Sequence, residues 1–143
     1  MKKKFCLIII LIIYLLVIFM FSHQDAVTST STSDIIVNQI KKIDTLSKFD
    51  LSFIVRKSAH FFVFGGLGLV FYLNYSEYFS NKRLLFFVSI ISVIIYACFD
   101  EIHQTFISGR SGQFSDVLLD SVGAFIVICM YIIINKRLFI NRD

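Results

Sequence analysis

The chain has 143 residues, 57% of them hydrophobic, and a mean hydropathy of +0.78. Soluble domains are only about 45–50% apolar, so an ordinary water-soluble domain is excluded and the surrounding solvent must be lipid. The net charge of +4 does not indicate nucleic acid, because Lys and Arg flank apolar runs and form no basic stripe with interleaved aromatic residues.

The first apolar run covers 5–21 and follows Lys2, Lys3 and Lys4. It is longer than the roughly 7–15 apolar residues of a secretory signal peptide, and Met20, Phe21, Ser22 and His23 offer no small-x-small cleavage site. An uncleaved first span is the expectation, with a cleaved signal segment as the alternative. Residues 22–58 then form a loop. Its 28–33 stretch is a Ser/Thr run ending where Asp34 can cap a helix, and Ile36, Ile40 and Ile43 recur at helical spacing, which predicts an amphipathic helix on the membrane surface.

Three more apolar runs follow at about 59–75, 84–99 and 117–134, each near the roughly 17–25 residues that cross the hydrocarbon core. They are continuously apolar, which excludes the alternating strands of a membrane barrel. The predicted fold is therefore all-α: one polytopic membrane domain over 1–143, a four-helix transmembrane bundle with an external amphipathic helix. Cys6, Cys98 and Cys129 lie far apart within apolar stretches and read as small core residues.

Placing the amino terminus inside puts 8 Lys and Arg residues in the cytoplasm and 6 outside, so the count favours cytoplasmic termini by a small margin. Under that topology Asp25, Asp34, Asp44, Asp50, Asp100, Glu101, Asp116 and Asp120 are external, with His23, His60 and His103. Only Glu77 and Asp143 remain inside.

The external polar residues fall into three segments. Ser22, His23, Gln24 and Asp25 leave the first span; Arg56 and Lys57 open the second, with Arg56 and His60 on one helical face. The third segment runs from Asp100 to Asp120. Tyr96, Asp100 and His103 form one stripe if the third helix continues past Phe99, Glu101 and Gln104 a neighbouring one, and Asp116, Asp120 and Gly123 repeat the spacing after a turn at Ser108, Gly109 and Arg110.

Charged groups at bilayer depth cost roughly 2.5–3.5 kcal/mol each at a helix centre, so Asp120 should face inward toward a cation, with Arg110, Arg56 or Lys57 as candidates. Helix ends also carry charge simply because water begins there, and this accounts for any one of these residues. Jointly, however, His60, Asp100, Glu101 and His103 supply the materials for acid/base chemistry. Arg56, Lys57 and Arg110, with Ser22, Gln24, Gln104, Asp116 and Asp120 around them, supply a ligand-binding set. His and carboxylate donors suit a zinc ion with an open position, but no HExxH or comparable spacing is present, so the sequence assigns no metal ligands and no cofactor.

Two lookalikes fail. Asp100, Glu101, Ile102 and His103 spell a helicase box, yet no phosphate-binding loop accompanies them. Gly65, Gly66 and Gly68 resemble part of a nucleotide fingerprint, but in an apolar helix they serve close packing.

The assembled residues resemble the VanZ-like family: Ser22 and Gln24 after the first span, Lys57 and His60 opening the second, Asp100, Glu101, Gln104 and Phe106 closing the third, then Gly109 and Arg110, then Asp116, Asp120 and Gly123. Ser108 stands where that family usually has Pro, and Asp120 where it usually has Asn. The resemblance implies a multi-pass protein of the bacterial cytoplasmic membrane, in a family named for an accessory protein linked to teicoplanin resistance. Expected partners are membrane lipids and, at the outer leaflet, a lipid-linked wall precursor or a lipoglycopeptide. A catalytic pocket, a binding module and a structural subunit of an envelope complex all remain open at this point.

Overall fold

The computed structural model describes residues 2–24, 31 and 48–140, with the side chains of all of these except 48–52 and 137–140. Among the described residues four long helices follow in chain order: α1 Lys2–Ser22, α2 Lys48–Tyr75, α3 Lys82–Gln104 and α4 Phe114–Ile140. Each contains a stretch long and apolar enough to cross a membrane, Lys2–Ser22, Phe53–Tyr75, Lys82–Gln104 and Phe114–Lys136. The chain is a multi-pass, all-α membrane protein. The amphipathic helix expected after Asp34, like Asp25, Asp44, Lys41 and Lys42, lies outside the described residues.

Lipid offers no partner for backbone N–H and C=O groups, so continuous helices are the structure these proline-free runs can adopt. The helices are longer than the apolar runs. Sequence placed the spans at 59–75, 84–99 and 117–134, whereas α2 starts at Lys48, α3 continues to Gln104 and α4 starts at Phe114. Polar side chains do not interrupt the backbone ladder, and in the turn added to α3 Asp100, Glu101 and Gln104 are buried. At the other end of α3, Asn81 Oδ1 accepts from the backbone N–H groups of Arg83 and Leu84 at 3.0 and 3.2 Å, a capping arrangement that fixes where the helix begins.

α2 packs most intimately on α4, α3 lies against both, and α1 covers α2 and α3 from the outside. The α2–α4 approach depends on Gly123, where any Cβ would collide with the Phe61 carbonyl oxygen. Phe64, Leu67, Val93, Ala97 and Ala124 form the main core, and Tyr72, Leu85 and Ile128 a second cluster. Apolar side chains such as Phe62, Phe87 and Ile95 point outward, as lipid-facing residues do.

Helices in lipid gain little from apolar burial, so cross-helix hydrogen bonds matter, at roughly 0.6–2 kcal/mol each. Tyr14 donates to the Val63 carbonyl at 3.0 Å, Tyr96 to Leu15 at 2.7 Å and Asn74 Nδ2 to Leu7 at 3.0 Å. These tie α1 to α2 and α3.

The two ends of the bundle differ. At one, Lys3 pairs with Glu77 in the α2–α3 connection and Lys4 lies 4.5 Å from the Tyr78 ring centroid. The Lys3 ammonium holds the Glu77 carboxyl below its ordinary value. At the other end Arg110 Nη1 donates to the Ser22 carbonyl at 3.3 Å, drawing the α3–α4 connection over the close of α1. Nearly all the chemically capable side chains among the described residues gather at this second, polar end.

Candidate functional site

The site is built from the third and fourth turns of α2, the last turns of α3 and the first turns of α4. Lys57 of α2 pairs with Asp116 of α4, both groups about four-fifths buried. Asp116 sits in the first turn of its helix, where the macrodipole also favours a negative charge. This ion pair clamps α2 to α4 at the mouth of the bundle.

α3 ends in consecutive buried carboxylates. Asp100 Oδ2 accepts from Gln104 Nε2, one turn on, at 2.8 Å. Glu101 Oε2 accepts from the backbone N–H of Gln113 at 2.8 Å. The connection can come this close because Gly112 lies against the Glu101 carbonyl oxygen, leaving no space for a side chain.

Asp120, one turn beyond Asp116, is fully buried, and His60 Nδ1 is 3.7 Å from its Oδ2. His60 stacks on Phe64, with ring centroids 6.0 Å apart. One donor atom each of His60, Glu101 and Asp120 falls within 4.8 Å of the others. His60 Nδ1, Glu101 Oε1 and both Asp120 oxygens are buried without a hydrogen-bond partner. Orphaned polar groups of this kind cost several kcal/mol, so their collection at one point calls for a proton, a water, a compensating charge or a ligand.

Sequence reasoning expected Asp120 to meet Arg110, Arg56 or Lys57. The structure corrects this: the ion-pair partner of Asp120 is His60, while Lys57 is engaged by Asp116 and Arg110 reaches across to Ser22. The reason is depth. Asp120 lies one helical turn inside the bundle, at the level of His60 and Glu101, whereas Arg110 belongs to the connection above it.

His103, expected to join Asp100 as an acid/base group, packs instead on α1. Its Nε2 is 3.2 Å from His23 Nδ1, and its ring lies 4.6 Å from that of Phe19. That contact was missed because His23, read alone on a loop, carries no spacing signal.

Two cavities open at this end. The larger, 430 Å³, has apolar walls from α1 and α2, with Ser22, Gln24, Arg56, His60, Asp100 and Arg110 as its polar part. The smaller, 110 Å³, includes Lys57, Gln104 and Asp116. Arg56, His60 and Arg110 border both. Glu101, Asp120 and His103 border neither cavity.

Compared with known families, the VanZ/LLP1 family matches residues 5–135. The chain belongs to this family. No curated protein and no solved structure matches it. The VanZ/LLP1 match takes in every site residue from Ser22 to Asp120, so the polar end lies wholly within the family's region.

Proposed function

We propose that this VanZ/LLP1 protein lies in the bacterial cytoplasmic membrane with both termini in the cytoplasm, and that its polar end opens outward to bind an anionic amphiphile of the cell envelope. The observation that carries this reading is the 430 Å³ cavity, which combines apolar walls with a small set of polar and cationic groups. Tyr14, Val17 and Phe21 of α1 and Val55 and Val63 of α2 give it apolar walls, while Arg56 and Arg110 are its cations. An acyl or polyprenyl chain suits the first, and a phosphate or carboxylate the second, where charge-assisted bonds are strong in partly desolvated surroundings. The volume falls within the roughly 300–1,000 Å³ of ligand pockets.

Phospholipids, lipid-linked wall precursors and lipoglycopeptides share this chemistry and meet such a site at the outer leaflet. His60 and Asp100 border the same cavity and are the acid/base candidates should the bound group be modified rather than only held. The family's name links the setting to teicoplanin, so altered teicoplanin susceptibility is the phenotype to score.

The test is lipid binding in nanodiscs, comparing a fluorescent phosphatidylglycerol with phosphatidylcholine. The parent should prefer the anionic lipid, and the Arg56→Ala/Arg110→Ala double variant should lose the preference by roughly tenfold or more, as removal of charged hydrogen bonds does. Equal binding of the two lipids by the parent, or an undiminished preference in the folded variant, refutes the reading. If cationic and acidic variants alike keep the phenotype, the chain acts as a structural subunit of an envelope complex.

A further inference from the structure

The convergence of His60, Glu101 and Asp120 has a meaning separate from lipid binding. We infer that these three side chains form a site for one divalent transition-metal ion of the zinc or manganese class. Each comes from a different helix, His60 from α2, Glu101 from α3 and Asp120 from α4. One donor atom from each lies within 4.8 Å of the other two.

Three observations beyond proximity point to a cation. His60 Nδ1, Glu101 Oε1 and both oxygens of Asp120 are buried with no hydrogen-bond partner, and Asp120 is fully enclosed. The second oxygen of Glu101 is held by the Gln113 backbone N–H at 2.8 Å, which leaves Oε1 directed and open, as outer-shell bonds orient metal-binding carboxylates. Lastly, with both carboxylates ionised and the imidazole neutral, the set would carry a charge of about −2, which one divalent ion would balance. The nearby ammonium of Lys57 is already committed to Asp116.

The donor set decides the metal class. Calcium and magnesium prefer all-oxygen shells, whereas an imidazole with two carboxylates suits zinc or manganese. Zinc bound by three protein groups keeps a fourth position for water or a ligand oxygen. Donors around a tetrahedral zinc are about 3.3 Å apart. The His60–Asp120 edge of 3.7 Å is close to that, and the other edges lie within 4.8 Å. Because His60 also borders both cavities, the ion would adjoin the cations Arg56 and Arg110 that face them.

The test uses chain purified in detergent, stripped with a chelator and titrated with Co²⁺ under visible absorption, with Zn²⁺ as competitor. The expected result is saturable uptake of about one Co²⁺ per chain, displaced by Zn²⁺, with a rise in melting temperature on metal addition. Glu101→Gln and Asp120→Asn, close in shape to the parent, should weaken uptake by roughly 100-fold or more. His23→Ala and His103→Ala, which remove the other histidine contact, should leave it unchanged. X-ray absorption of the Co²⁺-loaded parent needs no variant to fold, and should show one imidazole among oxygen donors. Absence of saturable uptake by the parent, parental affinity in Glu101→Gln and Asp120→Asn, or two imidazoles in the absorption spectrum each overturns the site.

Discussion

Breaking the His60–Asp120 contact in metal-free protein tests how the buried carboxylate is tolerated. Unit charges 3.7 Å apart attract by ~4.5 kcal/mol at an effective dielectric of about 20, which bounds what an ionised pair can contribute. Removing one partner of a buried pair typically costs about 3–5 kcal/mol, because the other charge is left uncompensated. His60→Ala should therefore lower the melting temperature by on the order of 10 °C in chelator-treated detergent samples. Asp120→Asn should cost about 1 kcal/mol or less, since it removes the buried charge itself. The double variant is the informative sample. His60→Ala also loses the ring packing on Phe64, but that loss is common to both backgrounds and cancels in the cycle. A coupling of at least about 2 kcal/mol is expected, so that His60→Ala costs much less when Asp120 is already Asn. If His60→Ala costs the same in both backgrounds, Asp120 does not depend on His60, and the argument from its burial is wrong.

Gly123→Leu should abolish accumulation of folded protein, because its side chain would drive α4 off the Phe61 carbonyl; normal yield and melting temperature would refute the close α2–α4 approach. Asn81→Ala should lower stability by about 1 kcal/mol through loss of the α3 cap, read by thermal unfolding, and an unchanged midpoint would mean water satisfies those N–H groups equally well. Glu77→Gln should leave stability unmoved near neutral pH, because Lys3 is exposed and surface pairs contribute little. The lowered Glu77 carboxyl contributes only above its unfolded value, and that small contribution disappears as pH falls through the folded value; a large acid-side difference between parent and Glu77→Gln would contradict this. In a Cys-free background, Gly109→Cys should react with an impermeant thiol reagent on intact cells and Ser80→Cys should not; the reverse pattern inverts the proposed topology.

The four spans were legible because lipid demands long apolar runs, and the order of runs gave the order of helices. Their ends were not, since the apolar signal stops at Phe99 while the backbone ladder runs on to Gln104. In the site, periodicity correctly put Arg56 and His60 on one face, and both border the same cavities. It likewise put Asp116 and Asp120 on one face, yet they meet different partners, Lys57 and His60, because one turn of rise moves a side chain from the mouth to the interior. Which residue faces which across helices depends on the rotation and depth of each helix. Those follow from packing at positions such as Gly123, and no spacing within one helix encodes them.

The same consideration explains why the absence of a metal motif along the chain is weak ground for assigning no metal. Motifs such as HExxH are visible because two ligands share a helix face, whereas here each of three helices contributes one. Three separately placed ligands require that the helices be held in fixed register, and the structure supplies that register independently of any ion. The Lys57–Asp116 pair joins α2 to α4, the Gln113 N–H joins the α3–α4 connection to Glu101, and Gly123 sets the α2–α4 spacing. If stability alone had shaped this end, apolar residues of similar volume in place of His60, Glu101 and Asp120 would serve at least as well, since buried ion pairs are often replaceable at no loss. Retaining two buried carboxylates and an imidazole at one point, with orphaned atoms directed at each other, is consistent with a role in binding rather than in holding the bundle together. An apolar triple variant of these three positions separates the alternatives: it should fold with undiminished stability in metal-free detergent and lose Co²⁺ uptake. A triple variant that fails to fold, while Gly123 and Lys57 are intact, would show instead that the cluster is a structural polar core.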